Sequence, residues 1–114
     1  MTAVQAEKSA RRRRMLEEAW VGDAVLALYA RSKILRENGA VDAKRFERMT
    51  SNQFLAALGD PAEVEAAIGR AYQDGGLAGG FAHIEAQVMP LFERQEAKRS
   101  KVLRNNPALS GAGR

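Results

Sequence analysis

Two carboxylic acids of this 114-residue chain lie inside apolar stretches, where a charged side chain is costly unless it is paired or bound to a cation. Asp23 lies within the apolar stretch 20–28, and Glu65 lies between Val64 and an Ala-Ala-Ile run. Mg²⁺ prefers carboxylate oxygens, keeps several water molecules and shares its coordination with substrate phosphates. Two such acids on packed helices would form a metal site. In the alternative interpretation, Asp23 is a salt-bridge partner or an N-terminal helix charge, and Glu65 is a solvated surface acid.

Several other chemistries lack the residues that they need. The chain has no cysteine and one histidine, which excludes disulfides, thiolate catalysis and cysteine-ligated zinc. The single His83 builds no catalytic triad, and we predict that it is exposed on a helix. The glycine-rich stretch 75–80 lacks the Lys-Ser/Thr pair of a phosphate-binding loop, and we interpret it as a turn. Any metal must therefore be bound by oxygen.

The hydrophobic pattern predicts an all-α fold of four or five helices, without strands. The first helix spans about 16–37 and ends at Asn38 and Gly39. Apolar residues cover most of the circumference of its first half. A small domain rarely buries such a helix alone, so the helix is either central to the fold or shared with a second subunit.

Capping residues place the remaining helices. Asp42 is the predicted N-cap of a helix that runs to about Leu58. Asp60, followed by Pro61 and by Glu63 in a capping box, begins the next helix, which ends at 74–76. A last helix is predicted over 81–98.

The basic residues are concentrated at the two ends of the chain. Residues 1–14 contain five Lys/Arg and one acid, residues 93–114 six and two, and residues 15–92 seven and eleven. This distribution predicts a basic N-terminal arm at 1–14 that is mobile or helical, a helical domain at 15–98, and a basic, disordered tail at 99–114. The arginines of the arm either contact a polyanion, such as a nucleic-acid backbone, or keep the chain soluble: Arg11, Arg12, Arg13 and Arg14. The longest apolar run, 24–30, is far below the roughly 20 residues of a membrane span, so we expect a cytoplasmic protein.

Four segments carry a resemblance to a known family. Residues 16–29, LEEAWVGDAVLALY, resemble the signature helix of the ribonuclease III family, and residues 64–76, VEAAIGRAYQDGG, resemble its second acidic helix. Residues 50–56, TSNQFLA, and 88–92, VMPLF, are similar to its middle and closing helices, in the same order. The resemblance implies a shortened ribonuclease III-type endonuclease domain. It is closest to the small Mini-ribonuclease III branch, which lacks a separate double-stranded-RNA-binding domain.

The resemblance also implies a function for individual residues. Asp23 and Glu65 would be catalytic acids that bind Mg²⁺, or Mn²⁺ in its place. The substrate would be double-stranded or structured RNA, and ribosomal RNA maturation is one candidate process. Asn52 would contact the RNA, and a separate helper protein could contribute to substrate recognition. Trp20 would lie in a homodimer interface, and each subunit would cut one strand. An ordinary core tryptophan is the alternative interpretation of Trp20.

The chain also departs from the family pattern. Leu16, Ala19 and Ala62 occupy positions where the larger enzymes have further acids. The segment between Asp23 and Glu65 is shorter than in those enzymes by about a helix and its loops. A catalytically degenerate RNA-binding or assembly factor with the same fold is therefore the alternative function, and a helical interaction domain unrelated to RNA is a third.

Overall fold

The computed structural model of the protein describes residues 2–106 and Ala108, and this part of the chain forms helices and connecting turns without a strand. The helices are α1 (Ala3–Asn38), α2 (Ala43–Thr50), α3 (Asn52–Ala56), α4 (Pro61–Gln87) and α5 (Met89–Asn105). Four of them have at least eight residues, and α3 is a short helix of five. The predicted all-α class is confirmed. Among the described residues, no helix combines the length and the apolar character needed to cross a membrane.

Helix α1 is continuous over 36 residues, which corresponds to about 54 Å. It begins with a capping box between Thr2 and Gln5 and ends at Gly39, whose φ of 69° is left-handed. The predicted end of the helix is thus confirmed, and of the two alternatives for the arm, mobile or helical, the described residues 3–14 are helical. The basic arm is a helical extension of α1, and residues 3–14 are exposed apart from the half-buried Ala10.

The predicted single helix from Asp42 to Leu58 is two helices. The Asp42 carboxylate caps α2 by accepting the backbone N–H of Arg45 at 3.0 Å, as predicted. Ser51 then has an extended backbone, with φ −68° and ψ 152°, which ends α2. Its hydroxyl accepts the N–H of Phe54 and so begins α3, whose Phe54 and Leu55 enter the core.

Helix α4 begins as predicted and ends later than predicted. The Asp60 carboxylate accepts the N–H of Glu63 at 3.3 Å, with Pro61 in the first turn. The reciprocal bond of the predicted capping box, from the Glu63 side chain, is absent from the hydrogen bonds of residues 2–106. The predicted stop at 74–76 is a kink: Gly75 and Gly76 have non-helical backbones, and the chain continues as helix to Gln87.

The predicted last helix is divided at Val88, and its C-terminal part, α5, is longer than expected. It continues through Asn105, seven residues beyond the predicted end at Lys98. Residues 99–105 of the predicted disordered tail are therefore helical. Residue 107 and residues 109–114 lie outside the described residues.

The core lies between α1 and α4 and is closed by α2, α3 and α5. Phe54 and Phe92 meet edge to face, with ring centroids 5.7 Å apart. Arg48 forms two 3.0 Å hydrogen bonds with Glu96 and ties α2 to α5. The largest fully buried side chains are Phe92, Leu26, Met49, Leu55, Ile68, Ile84 and Val88.

Two glycines bring the backbones of α1 and α4 into contact. A Cβ added to Gly22 would lie 1.7 Å from the carbonyl oxygen of Glu65, and one added to Gly69 would lie 2.0 Å from that of Glu18. Any side chain at either position would collide with the opposite backbone, which cannot move like the end of a flexible side chain. The crossing therefore fixes the start of α4 against the middle of α1.

We expect Gly22→Ala to lower the free energy of unfolding by about 2 kcal/mol or more, because overpacking at the crossing outweighs the gain of about 1 kcal/mol in helix propensity. Urea denaturation followed by circular dichroism measures the change. Gly75→Ala is the matched control, since a Cβ there meets no atom within 4 Å and its φ is −134°. A Gly22→Ala variant as stable as the Gly75→Ala variant would contradict this packing.

A candidate carboxylate site at the helix crossing

The structure brings the two predicted acids together at the crossing of α1 and α4. Asp23 directly follows Gly22 on α1 and is exposed, whereas Glu65 lies in the second turn of α4 and is half-buried. The carbonyl of Glu65 is the group that faces Gly22. Their side chains are close enough for the Asp23 carboxyl to act on the ionisation of Glu65.

The pair is electrostatically unfavourable when both acids are ionised. Burial, and then the neighbouring Asp23 carboxyl group, raise the pKa of Glu65 to about 7. Both effects disfavour the charged form, since burial removes hydrating water and a second carboxylate repels the charge. A proton shared between the two groups or a bound cation would relieve this repulsion.

Within residues 2–106, no Lys, Arg or His side chain forms an ion pair with Asp23 or Glu65. Arg70 follows Glu65 by five residues on α4, but its Nη1 lies 3.2 Å from Oε1 of Glu18. The two carboxylates are therefore available to a ligand from solvent.

The donor set fits a hard divalent cation with few protein ligands. Within the described residues, no group of three or more His, Cys, Asp or Glu side chains could hold a metal. Two carboxylates are nevertheless what Mg²⁺ commonly takes from a protein, because it fills its remaining positions with water and substrate phosphate. A closed zinc site, which needs four protein ligands, is not compatible with this pair.

An exposed apolar surface lies beside Asp23. Trp20 is 81% exposed and points about 160° away from Gly22 around α1, so it takes no part in the close backbone contact with α4. We define the Trp20 face as the exposed residues Leu16, Trp20, Ala24 and Leu28 of α1. An open cavity of about 540 Å³ borders it and is lined by Trp20, Val21, Asp23, Ala24, Val25, Leu28, Tyr72 and Leu77. The interpretation of Trp20 as a core residue is wrong, and its role in a dimer stays a prediction.

The other predicted site residues are not in contact with the acid pair. The four arginines of the arm, Arg11, Arg12, Arg13 and Arg14, are exposed on α1. Two of them, Arg12 and Arg13, border a shallow cavity shared with Leu16 and Trp20. Asn52 is exposed at the start of α3, and none of the described hydrogen bonds links it to Asp23 or Glu65.

His83 differs from its sequence-based prediction. It is half-buried instead of exposed, and it lines a cavity with Leu58, Val64 and Gln87. Burial, and then the positive charge of Arg70, lower its pKa. The described residues that line this cavity include no acid, so His83 does not extend the candidate site.

Sequence reasoning missed the ion pair between Glu18 and Arg70, which spans the crossing next to the acids. The two residues are 52 positions apart, and nothing in their local sequence marks them as partners. It also missed Tyr72 and Leu77, which extend the apolar surface from α1 onto α4.

Comparison with known proteins returns no match: no protein-family model, no curated protein and no solved structure matches this chain. The resemblance of residues 16–92 to the ribonuclease III family therefore stays a prediction.

The raised pKa of Glu65 predicts a pH-dependent stability. The folded state holds the Glu65 proton up to about pH 7, whereas the unfolded chain releases it near 4.3. The native state therefore binds more protons in this window, and the contribution of Glu65 to stability falls as the pH rises from about 4 to 7. In buffer with a metal chelator, we expect Glu65→Gln to raise the Tm by roughly 2–5 °C at pH 8.5 and by less at pH 5.

Glu63→Gln is the control for this measurement, because Glu63 is exposed on the same helix two residues earlier. Thermal denaturation of both variants across the pH range gives the comparison. Equal shifts for Glu65→Gln at pH 5 and pH 8.5 would show that the acid pair does not strain the fold.

Proposed function

We propose that this protein is a divalent-metal-dependent endoribonuclease of the ribonuclease III type that cleaves double-stranded or structured RNA. The observation that supports the proposal is the meeting of Asp23 and Glu65 at one helix crossing. These are the two positions at which the sequence resemblance implies catalytic acids. Forty-two positions separate them in the sequence, so their proximity comes from the fold and not from local sequence.

The two acids have different surroundings that suit different tasks. Asp23 is exposed at the edge of an open cavity, where substrate can reach it. Glu65 is half-buried, and its backbone is held against Gly22, so its carboxyl group starts from a fixed position. Together they would hold Mg²⁺ or Mn²⁺. When bound, such a cation lowers the pKa of its bound water, which yields a nucleophile for attack at phosphorus, and neutralises developing charge on the phosphate.

The arm supplies positive charge for the RNA backbone. Arg11 and Arg14 precede Asp23 by twelve and nine positions on one continuous helix, which corresponds to about 18 and 14 Å. Arginines at this distance would contact phosphates a few nucleotides from the site of cleavage. Such contacts are salt-sensitive and independent of base sequence. Selectivity would therefore come from the shape of the RNA helix and its distortions, since duplex RNA presents few readable base edges.

The exposed Trp20 face supports a homodimer. An indole that is 81% exposed amid further exposed apolar residues is typical of a protein interface. A two-fold contact through this face would bury Trp20 of both subunits and place two acid pairs in one particle. Each subunit would then cleave one strand of a duplex.

A second candidate function is a non-cleaving RNA-binding or assembly factor with the same fold. The small number of acids favours it: Ala19 is buried against α4 and Ala62 lies at the start of that helix, where the larger enzymes have carboxylates. Such a protein would bind structured RNA through its basic arm without Mg²⁺. An assay of RNA cleavage distinguishes this factor, which would not cleave RNA, from the proposed endoribonuclease.

We expect Asp23→Asn to lower Mg²⁺-dependent cleavage of a duplex RNA by at least about 100-fold, because loss of a metal ligand removes several kcal/mol of transition-state stabilisation. The assay follows an end-labelled duplex on a denaturing gel, with Glu63→Gln as the control that should cleave like the wild type. Full activity of Asp23→Asn would contradict the proposed site. If the wild-type protein binds the duplex in chelator but never cleaves it, the second function is correct.

The homodimer has a separate test. We expect the wild-type protein to be dimeric by light scattering and Trp20→Glu to be monomeric with the same helical circular dichroism, since two carboxylates would then face each other in an apolar contact. Val102→Glu, at an exposed apolar residue of α5, should stay dimeric. A wild-type monomer at concentrations that support cleavage would contradict the dimer.

A further inference from the structure

The first third of α1 packs against no other helix among the described residues. Residues 3–14, the helical part of the arm, are exposed apart from the half-buried Ala10. Because α1 is continuous, the arm projects along the helix axis and cannot fold back onto the domain. The molecule is accordingly 61 Å long and only 27 by 22 Å across.

An apolar groove lies at the opposite end of α1. It is lined by Arg31, Ile34, Leu35, Val41, Asp42, Ala43 and Phe46, and its volume is about 300 Å³. Leu35 is 50% and Val41 84% exposed. The α1 residues of the groove lie within about 60° of Trp20 around the helix axis, so the groove continues the Trp20 face.

Building on the proposed homodimer, we propose that the arm of each subunit packs along α1 of a second copy and ends in the groove of that copy. The two α1 helices would run antiparallel, with the two-fold axis at Trp20. The interface would then extend from Trp20 to both ends of α1.

The length of the arm matches this arrangement. Ala6 precedes Trp20 by fourteen positions, and Ile34 follows Trp20 by fourteen. At 1.5 Å per residue each lies about 21 Å from Trp20, so a two-fold axis there places them side by side. Ala6 and Ser9 lie within about 40° of Trp20 around the helix, and their small side chains allow another helix to approach closely. Arg11 and Arg14 point about 180° and 120° away from Trp20, where they can contact RNA.

The charge distribution favours the antiparallel arrangement. Residues 1–14 carry a net charge of +4 and residues 15–92 a net charge of −4. Antiparallel packing places each basic arm against a domain of opposite net charge. The groove itself is lined by one cation, Arg31, and one anion, Asp42, and the positive start of α1 would approach Asp42. Parallel packing would instead place the two Arg11–Arg14 runs side by side, where they repel.

Cysteine cross-linking tests the arrangement, because the chain has no cysteine of its own. Ala6→Cys and Leu35→Cys change two exposed residues of α1. Within one chain they are 29 positions apart on a continuous helix, about 43 Å, so a short bismaleimide cannot join them intramolecularly. We expect covalent dimers from a mixture of the two variants, at a yield several-fold above that of either variant alone.

Glu7→Cys mixed with Leu35→Cys is the matched control. Glu7 is exposed next to Ala6 but points about 140° away from Trp20 around the helix. The mixture of Glu7→Cys and Leu35→Cys should give a several-fold lower yield of covalent dimers than the mixture of Ala6→Cys and Leu35→Cys.

The remaining outcomes each overturn the arm docking. If the protein is dimeric by light scattering but Ala6→Cys and Leu35→Cys do not cross-link to each other, the homodimer is supported and the docked arm is refuted. Cross-linking of Ala6→Cys to itself would show a parallel pair. Cross-linking that requires added duplex RNA would assign the arm to the RNA, and a monomer would refute both the docking and the homodimer. Cleavage by the wild type and its loss in Asp23→Asn are measured separately, so none of these results decides the enzymatic activity.

Discussion

The backbone contact between α1 and α4 is the constraint on which the rest of this structure depends. Gly22 and Gly69 each lie against a backbone carbonyl of the opposite helix and have no side chain that would collide with it. The two helices therefore meet at a distance that no other residue type at these positions allows. This contact orients the apolar side of α1, including the fully buried Leu26, toward Ile68 and Ile84 of α4. It also determines which residues come next to each other at its edges. Asp23 and Glu65 lie on one side, and Glu18 and Arg70 form an ion pair nearby. The candidate site is thus a direct consequence of the helix crossing.

The same crossing holds two carboxyl groups where ionisation of both is unfavourable. Natural folds keep such a pair when the ligand that relieves it contributes to function, and strongly perturbed acids are accordingly frequent at catalytic sites. The neighbouring ion pair between Glu18 and Arg70 occupies the arginine that could otherwise neutralise these acids. The arginine closest along α4 already has a partner, so the fold keeps a cation near the acid pair without neutralising it. An oxygen-binding divalent cation, as we propose, would satisfy both acids at once.

Local chemistry made three helix boundaries predictable, whereas tertiary packing decided the others. Asp42, Asp60 and Gly39 act as caps through contacts within three or four residues, and such contacts can be inferred from sequence. The break at Ser51 was not predicted, because the apolar spacing on both sides of it fits one helix. The kink at Gly75 and Gly76 looked like an end, since local glycines stop a helix unless distant contacts, here of Gly80 with Val25, hold the next segment. The two acids were predictable from their apolar neighbours and from the family resemblance. Their proximity required the three-dimensional fold, because it arises between residues 42 positions apart.

The exposed face of α1 follows from how little chain lies between Asp23 and Glu65. After α1 ends, that segment provides only α2 and α3, of eight and five residues. Helix α2 packs against the C-terminal half of α1, and α3 packs against α2 and α4. Helix α4 covers one side of the first half, which leaves Leu16, Trp20 and Leu28 on the other side. A small domain has too little mass to surround a long central helix, so apolar residues that a longer segment would have covered remain available to another protein surface. The basic extension of the same helix lies beyond this uncovered side. In the homodimer that we propose, a second copy of the chain would cover this apolar side of α1.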